Sequence, residues 1–189
     1  EVEVGQDYAL VISSNAGLWR YSLGDVIRIT GVHPFRLQVV GRTTSYLNAF
    51  GEEVMVEQAD HAIAEACTLT NALVRDYTAA PVFMSLDDSG AHEWCIEFVK
   101  PPVGGMSLFL ECLDSSLRRR NSDYDAKRSE NFVLGFPIGR ELPSGSFEAW
   151  LRSKGKFGGQ HKVPRLSNTR IMLEELLALS QVQRPSVSS

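Results

Sequence analysis

FRLQVVGRTTSYLNAFGEEVMVEQADHAIAEAC, residues 35–67, changes its hydrophobic period part-way along. Phe35 to Val40 suits a strand, and Gly41-Arg42-Thr43-Thr44 is a polar joint. After it, Val56, Ala59, Ile63 and Ala66 or Cys67 recur at the spacing of one helical face. The switch separates a β unit from a part that carries helices. We therefore expect a β subdomain over 1–42 closing on a hinge-like Gly-Arg, an α+β mobile C-terminal domain over 43–180, and a flexible polar tail over 181–189.

Towards the N-terminus, Tyr8 to Ile12 reads as a strand already under way, as if the chain began in mid-domain. Val26 to Thr30 and Phe35 to Val40 add two strands joined by short turns. Towards the C-terminus the pattern predicts a helix over 53–67, then strands over 72–79, 81–86 and 93–99. Asp87-Asp88-Ser89-Gly90 turns the last two into a hairpin, in which Trp94, Ile96 and Phe98 alternate with Cys95, Glu97 and Val99. Leu110, Leu113 and Leu117 mark a helix running into Arg118-Arg119-Arg120, and Phe132 to Ile138 suits a short strand. Ser144 or Ser146 can cap a helix bearing Phe147, Trp150 and Leu151, and the last helix is expected over 172–179. The fold class is α+β, with a mostly antiparallel sheet flanked by helices.

With 189 residues, 43% of them hydrophobic and 22% charged, the chain can bury one substantial core or two small ones. Its formal charge of −4 has the wrong sign for a surface that neutralises a phosphate backbone, so nucleic acid is not expected as a partner. Arg118-Arg119-Arg120 and Lys127-Arg128 are diluted by Asp114, Asp123, Asp125 and Glu130 and read as a solvated helix end. No apolar run approaches the ~18 residues of a membrane span, and no membrane partner is expected. The three cysteines, Cys67, Cys95 and Cys112, lack CxxC spacing and imply a reducing, cytoplasmic compartment. The four histidines are scattered, so no metal site built by the protein is expected.

Arg20-Tyr21-Ser22-Leu23-Gly24-Asp25 is the first candidate for chemistry. A carboxylate held after a glycine at the entry to a buried strand is fixed in direction, and it can accept from both hydroxyls of a ribose. A turn Asp stabilising its own loop has the same local pattern. Downstream, Lys154 to Arg165 is a Gly- and Lys-rich loop that could approach a phosphate, but it lacks the spacing of a Walker loop.

Residues 18–31, from Leu18-Trp19-Arg20-Tyr21 through Gly24-Asp25-Val26 to Gly31, resemble the Gly-Leu-Tyr-Arg-Tyr-Arg-x-Gly-Asp-Val segment of the auxin-responsive-promoter family of acyl acid amido synthetases, which belongs to the acyl-adenylate-forming superfamily. Phe35 to Arg42, Leu47-Asn48-Ala49-Phe50-Gly51-Glu52-Glu53 and Gln160-His161-Lys162-Val163-Pro164-Arg165 match in the same order, so the resemblance covers roughly residues 8 to 170.

The resemblance implies a ligase that joins a carboxylic acid to the α-phosphate of ATP and then passes the acyl group to the amine of an amino acid. It implies that Asp25 holds the AMP ribose, that Arg42 contacts ribose or phosphate beside the hinge, and that Tyr21 lines the nucleotide pocket. Lys162 would be the catalytic lysine that meets the α-phosphate and carboxylate. ATP and Mg2+ are the implied cofactors, the magnesium held mainly by ATP and by an N-terminal adenylating domain of the same protein. That domain is an implied partner, and without it this fragment is expected to be inactive.

In plant members a lysine that serves the active site stands where Glu53 aligns; its role is not carried over, and Glu52-Glu53 can instead open the following helix against its dipole. His161 could deprotonate the incoming amine or be a loop residue without a chemical role. The residues leave the acceptor open, so a ligase forming coenzyme A thioesters remains an alternative. So does a non-catalytic module that dimerises or binds a partner through a sheet edge or the Trp94-Ile96-Phe98 face.

Overall fold

The computed structural model describes residues 2–17, 19–42, 46–84, 89–129, 133–155 and 163–182. The chain divides into two compact units, Glu1–Ser45 and Tyr46–Ser189. The first is a three-stranded antiparallel sheet in the order β1 (Asp7–Ile12), β2 (Tyr21–Val32) and β3 (Phe35–Arg42). Here β2 starts well before Val26, so Gly24 and Asp25 lie inside the strand rather than at its entry. The register slips between Val26 and Ile27, a bulge that re-aims the strand next to Asp25. Ile27 and Ile29 are buried on one face of the sheet.

The second unit opens with a two-stranded ribbon of β4 (Tyr46–Leu47) and β5 (Val54–Met55) enclosing a tight turn. Helix α1 (Val56–Thr70) follows, then β6 (Leu73–Val82), β7 (Ala91–Lys100), α2 (Gly105–Arg120), α3 (Ser122–Ser129), β8 (Ile138–Leu142), α4 (Ser146–Ser153) and α5 (Ile171–Val182). The main sheet has the order β6-β7-β8. Its first pair is the expected antiparallel hairpin, and β8 adds a parallel edge on β7, within the expected α+β class. Two strands expected on either side of Ala80 form one, because β6 runs on through Pro81. Among the described residues its outer edge is bridged at Ala79, by Leu166, and not at Pro81, so the missing proline N–H costs no ladder bond there. The strand expected over 132–138 instead begins at Ile138, just past Pro137. Phe132 lies outside the described residues, as does part of the hairpin turn, 85–88.

The period-two pattern of β7 sorts its side chains into two cores. Trp94, Ile96 and Phe98 pack with Tyr77 and Ala79 against Ala59, Ile63 and Ala66 of α1 and Phe109, Leu113 and Leu117 of α2. Cys95 and Ala80 face a second cluster made by Phe147 and Trp150 of α4, Val163, and Met172, Leu173 and Leu176 of α5. The face considered for dimerisation is therefore covered by this unit's own helices. Each large side chain so buried contributes about 1.5–3 kcal/mol.

The helix ends also differ from expectation. Helix α1 starts at Val56, where Gln58 Oε1 accepts from the Met55 N–H at 3.0 Å. Neither Ser144 nor Ser146 caps α4. Glu97, fully buried on β7, does so by accepting from the amides of Gly145 at 2.8 Å and Phe147 at 3.4 Å. The arginines ending α2 are paired: Arg118 with Asp125, Arg119 and Arg120 with Glu65. Helix α5 runs through Gln181 and Val182, the first two residues of the expected tail, and 183–189 lie outside the described residues.

Candidate functional site

In the first unit, the register of β2 and β3 makes Asp25 and Arg42 Cα partners across the ladder. Two candidates 17 positions apart in sequence are thus brought to facing positions on neighbouring strands. Tyr21, the first residue of β2, sits opposite Ile12, and its side chain is 53% exposed. It follows Arg20, whose positive φ of 47° turns the chain into the strand while its N–H donates to Ser13 Oγ at 3.0 Å.

In the second unit, the motif Leu47 to Glu53 forms the turn between β4 and β5, and Glu52 does not open a helix. It turns inward and is fully buried. Its oxygens accept from the amides of Ala49 at 3.0 Å and Phe50 at 2.7 Å, and Oε1 lies 2.8 Å from Nε2 of His92. Burial acts to raise the Glu52 carboxyl, but the His92 hydrogen bond and the backbone donors outweigh it and hold the group below its ordinary value. Burial also pushes His92 down, further than Glu52 can lift it. The pair is thus a carboxylate accepting from a neutral imidazole. Asn121 completes the brace: Nδ2 donates to the carbonyls of Glu52 at 2.8 Å and Glu53 at 3.2 Å. Glu53 is left exposed at φ 39°, with the Asn48 amide 3.4 Å from Oε1.

The third motif ends in a segment laid along β6. Lys162 and His161 fall outside the described residues, but Val163, directly after them, is buried in the second core. Thr78 Oγ1 donates to the Pro164 carbonyl at 2.8 Å, Ala79 N–H to the Arg165 carbonyl at 2.9 Å, and Ser167 N–H to the Ala79 carbonyl at 3.0 Å. Arg165 pairs with Asp76 at 2.7 Å and lies over the Tyr77 ring at 4.6 Å. Next to this segment, Asn168 reaches the turn: Oδ1 accepts from the Asn48 N–H at 2.7 Å and Nδ2 donates to the Tyr46 carbonyl at 3.1 Å.

Of these anchors, Glu52 and Val163 to Arg165 lie in motifs quoted from the sequence, although Glu52 reads there as a helix-opening carboxylate and not as a buried one. His92 and Asn168 lie outside those motifs.

Among the described residues no group of three or more His, Cys, Asp or Glu side chains could hold a metal ion. No helix among them is long and apolar enough to cross a membrane.

Residues 57–171 match the model of the GH3 family C-terminal domain, and residues 1–42 that of the GH3 family central domain. The chain belongs to the GH3 family. Among its GH3 relatives, the probable indole-3-acetic acid-amido synthetase GH3.9 of Oryza sativa subsp. japonica is 59% identical over 194 residues, covering 93% of this chain and 43% of the relative. The indole-3-acetic acid-amido synthetase GH3.4 of Arabidopsis thaliana is 27% identical over 194 residues, covering 91% of this chain and 31% of the relative. The chain thus spans less than half the length of either. Its fold resembles the solved structure of the GH3.15 acyl acid amido synthetase, with a TM-score of 0.62 at 23% identity over 96% of this chain and 33% of that one. Membership in the GH3 family agrees with the resemblance carried by the motifs around Asp25, Arg42 and Lys162.

Proposed function

We propose that this chain is the C-terminal part of an ATP-dependent acyl acid amido synthetase. In the first half-reaction a carboxylate oxygen attacks the α-phosphorus of ATP, forming an acyl-adenylate and releasing pyrophosphate. In the second, an amino acid's amine attacks the acyl carbon, AMP leaves, and the amine's proton is lost as the amide forms. The observation that carries this reading is the β2–β3 register that sets Asp25 opposite Arg42, in a chain that belongs to the GH3 family.

Asp25 accepts from the ribose hydroxyls, Arg42 contacts ribose or phosphate, and Tyr21 lines the nucleotide pocket. Lys162 places an ammonium against the α-phosphate and the entering carboxylate. Such a charge ~4 Å away at an effective dielectric near 20 is worth about 4 kcal/mol to a transition state with charge on phosphate oxygens. Magnesium enters bound to ATP, and the phosphate loop and acyl pocket come from an N-terminal adenylating domain of the same protein. The location is cytoplasmic, in keeping with three free cysteines.

The test uses the full-length protein, with ATP–pyrophosphate exchange driven by a panel of carboxylic acids and product analysis with an amino acid or coenzyme A. Lys162→Ala should lower exchange by about 100-fold or more. Unchanged exchange removes its role, and a thioester as sole product replaces the amide reading.

A further inference from the structure

We propose that Asn168 is a positioning residue of this ligase, fastening the turn of the Leu47–Glu53 motif to the segment that follows Lys162; the proposal rests on the ligase reading above. Both of its partners are backbone groups, the N–H of Asn48 and the carbonyl of Tyr46, 120 and 122 residues away in sequence. The side chain therefore holds the path of the chain. Each part it joins has anchors of its own, and Leu166 and Leu47 share one core. On one side, Pro164, Arg165 and Ser167 are bonded to β6, with Val163 and Leu166 sunk into different cores. On the other, Glu52, His92 and Asn121 brace the turn from within.

Among the described residues the direct hydrogen bonds from this segment to the turn are the two that Asn168 makes. Tyr46 is also the first residue of the second unit. The task demands an amide, one acceptor and one donor on a short stem. Aspartate would keep the Asn48 bond and set a carboxylate against the Tyr46 carbonyl, and alanine would remove both. Asn168 is exposed, so neither change opens a core cavity.

A loose fork lets the two motifs drift, and a shift of about 1 Å at a reacting group can cost ~100-fold in rate while leaving ground-state binding nearly intact. The experiment compares full-length wild type, Asn168→Ala and Asn168→Asp by amide hydrogen exchange of peptides covering 46–53, by carboxylate-driven ATP–pyrophosphate exchange, and by thermal unfolding. In Asn168→Ala the turn should exchange faster and kcat should fall about 10-fold or more. The KM for ATP and acid should stay within ~3-fold and the unfolding midpoint within about 3 °C. Asn168→Asp should lie between alanine and wild type. Unchanged protection of 46–53 overturns the proposal, as does faster exchange with unchanged kcat, the mark of a purely structural tie. Wild type without exchange on any acid sinks the ligase reading and this role with it, and is recognisable because the wild-type turn stays protected.

Discussion

Glu52 and His92, 40 residues apart in the chain, meet at 2.8 Å with both side chains sealed from solvent. The carboxylate collects two backbone amides of its own turn and the imidazole of β7, so one buried charge sets the shape of the motif turn. Replacing Glu52 with Gln would put an NH2 against at least one of those donors. With the desolvation of a buried unpaired donor at about 1–3 kcal/mol each, Glu52→Gln should destabilise the protein by about 2–4 kcal/mol. Urea unfolding would measure it, and a loss within 0.5 kcal/mol, by that same principle, would mean the turn holds itself.

The same pair makes stability depend on pH. Burial holds His92 below its ordinary 6.5, so as pH falls the unfolded chain takes up this proton before the native state does. Stability from the neutral ring is complete above 6.5 and declines below it. Glu52, held below its ordinary 4.5, adds a second decline only under that value. Both terms weaken the fold on acidification. Urea midpoints of wild type should therefore drop more steeply between about pH 7.5 and 5.5 than those of His92→Gln. Parallel profiles would show that the ring is not held neutral by burial.

Asp114, Arg128 and Tyr124 form a second buried cluster, in which Asp114 accepts from the guanidinium at 2.8 and 3.1 Å and from the tyrosine hydroxyl at 2.7 Å. Arg128 also donates to the Leu134 carbonyl at 3.1 Å, tying α3 to the approach of β8. Removing the cation strands a buried carboxylate, so Arg128→Ala should cost about 3–5 kcal/mol, whereas Tyr124→Phe, which leaves the ion pair whole, should cost about 1 kcal/mol. Equal losses would mean that the guanidinium contributes no more to the cluster than the hydroxyl does.

Gly90 lies under the Phe50 ring, where an added Cβ would come within 2.2 Å of Cζ. That ring is held by His92 on one side and Phe83 on another. Gly90→Ala should therefore cost about 1–3 kcal/mol by overpacking. Adding Phe50→Leu should return part of it, giving a coupling above about 0.5 kcal/mol in the double-mutant cycle, and strict additivity would place the ring elsewhere.

What the chain reveals before it folds is mostly what repeats. The spacing of Val56, Ala59, Ile63 and Ala66 predicts α1 because four apolar residues on one face bury together, and the alternation of Trp94, Ile96 and Phe98 predicts which side of β7 faces that helix. Single polar residues carry no period. Glu52 beside Glu53 looks like two helix-opening carboxylates, and only the arrival of His92 from β7 makes burial of one affordable. Likewise Glu97 caps α4 from another element, so the serines next to the helix misled. The parallel pairing of β8 was hidden because direction depends on the route taken by α2 and α3, which no local pattern encodes. Of the candidate site, the Gly-Asp and Gly-Arg motifs were legible as residues, while their face-to-face register was not.

That register leads to a functional test. Asp25 and Arg42 are Cα partners, so in the proposed reading they address one nucleotide from neighbouring strands. A hydrogen bond to a charged group is worth about 1.5–3 kcal/mol, so Asp25→Ala and Arg42→Ala should each weaken AMP binding by the full-length protein by about 10- to 150-fold. Because both would hold the same ligand, loss of one lets it shift away from the other. The double variant should then lose less than the sum, by at least about 0.5 kcal/mol in calorimetric titration. Additive losses would make them independent contacts, and unaltered affinity in Asp25→Ala would take the ribose away from this carboxylate and leave the nucleotide to the rest of the enzyme.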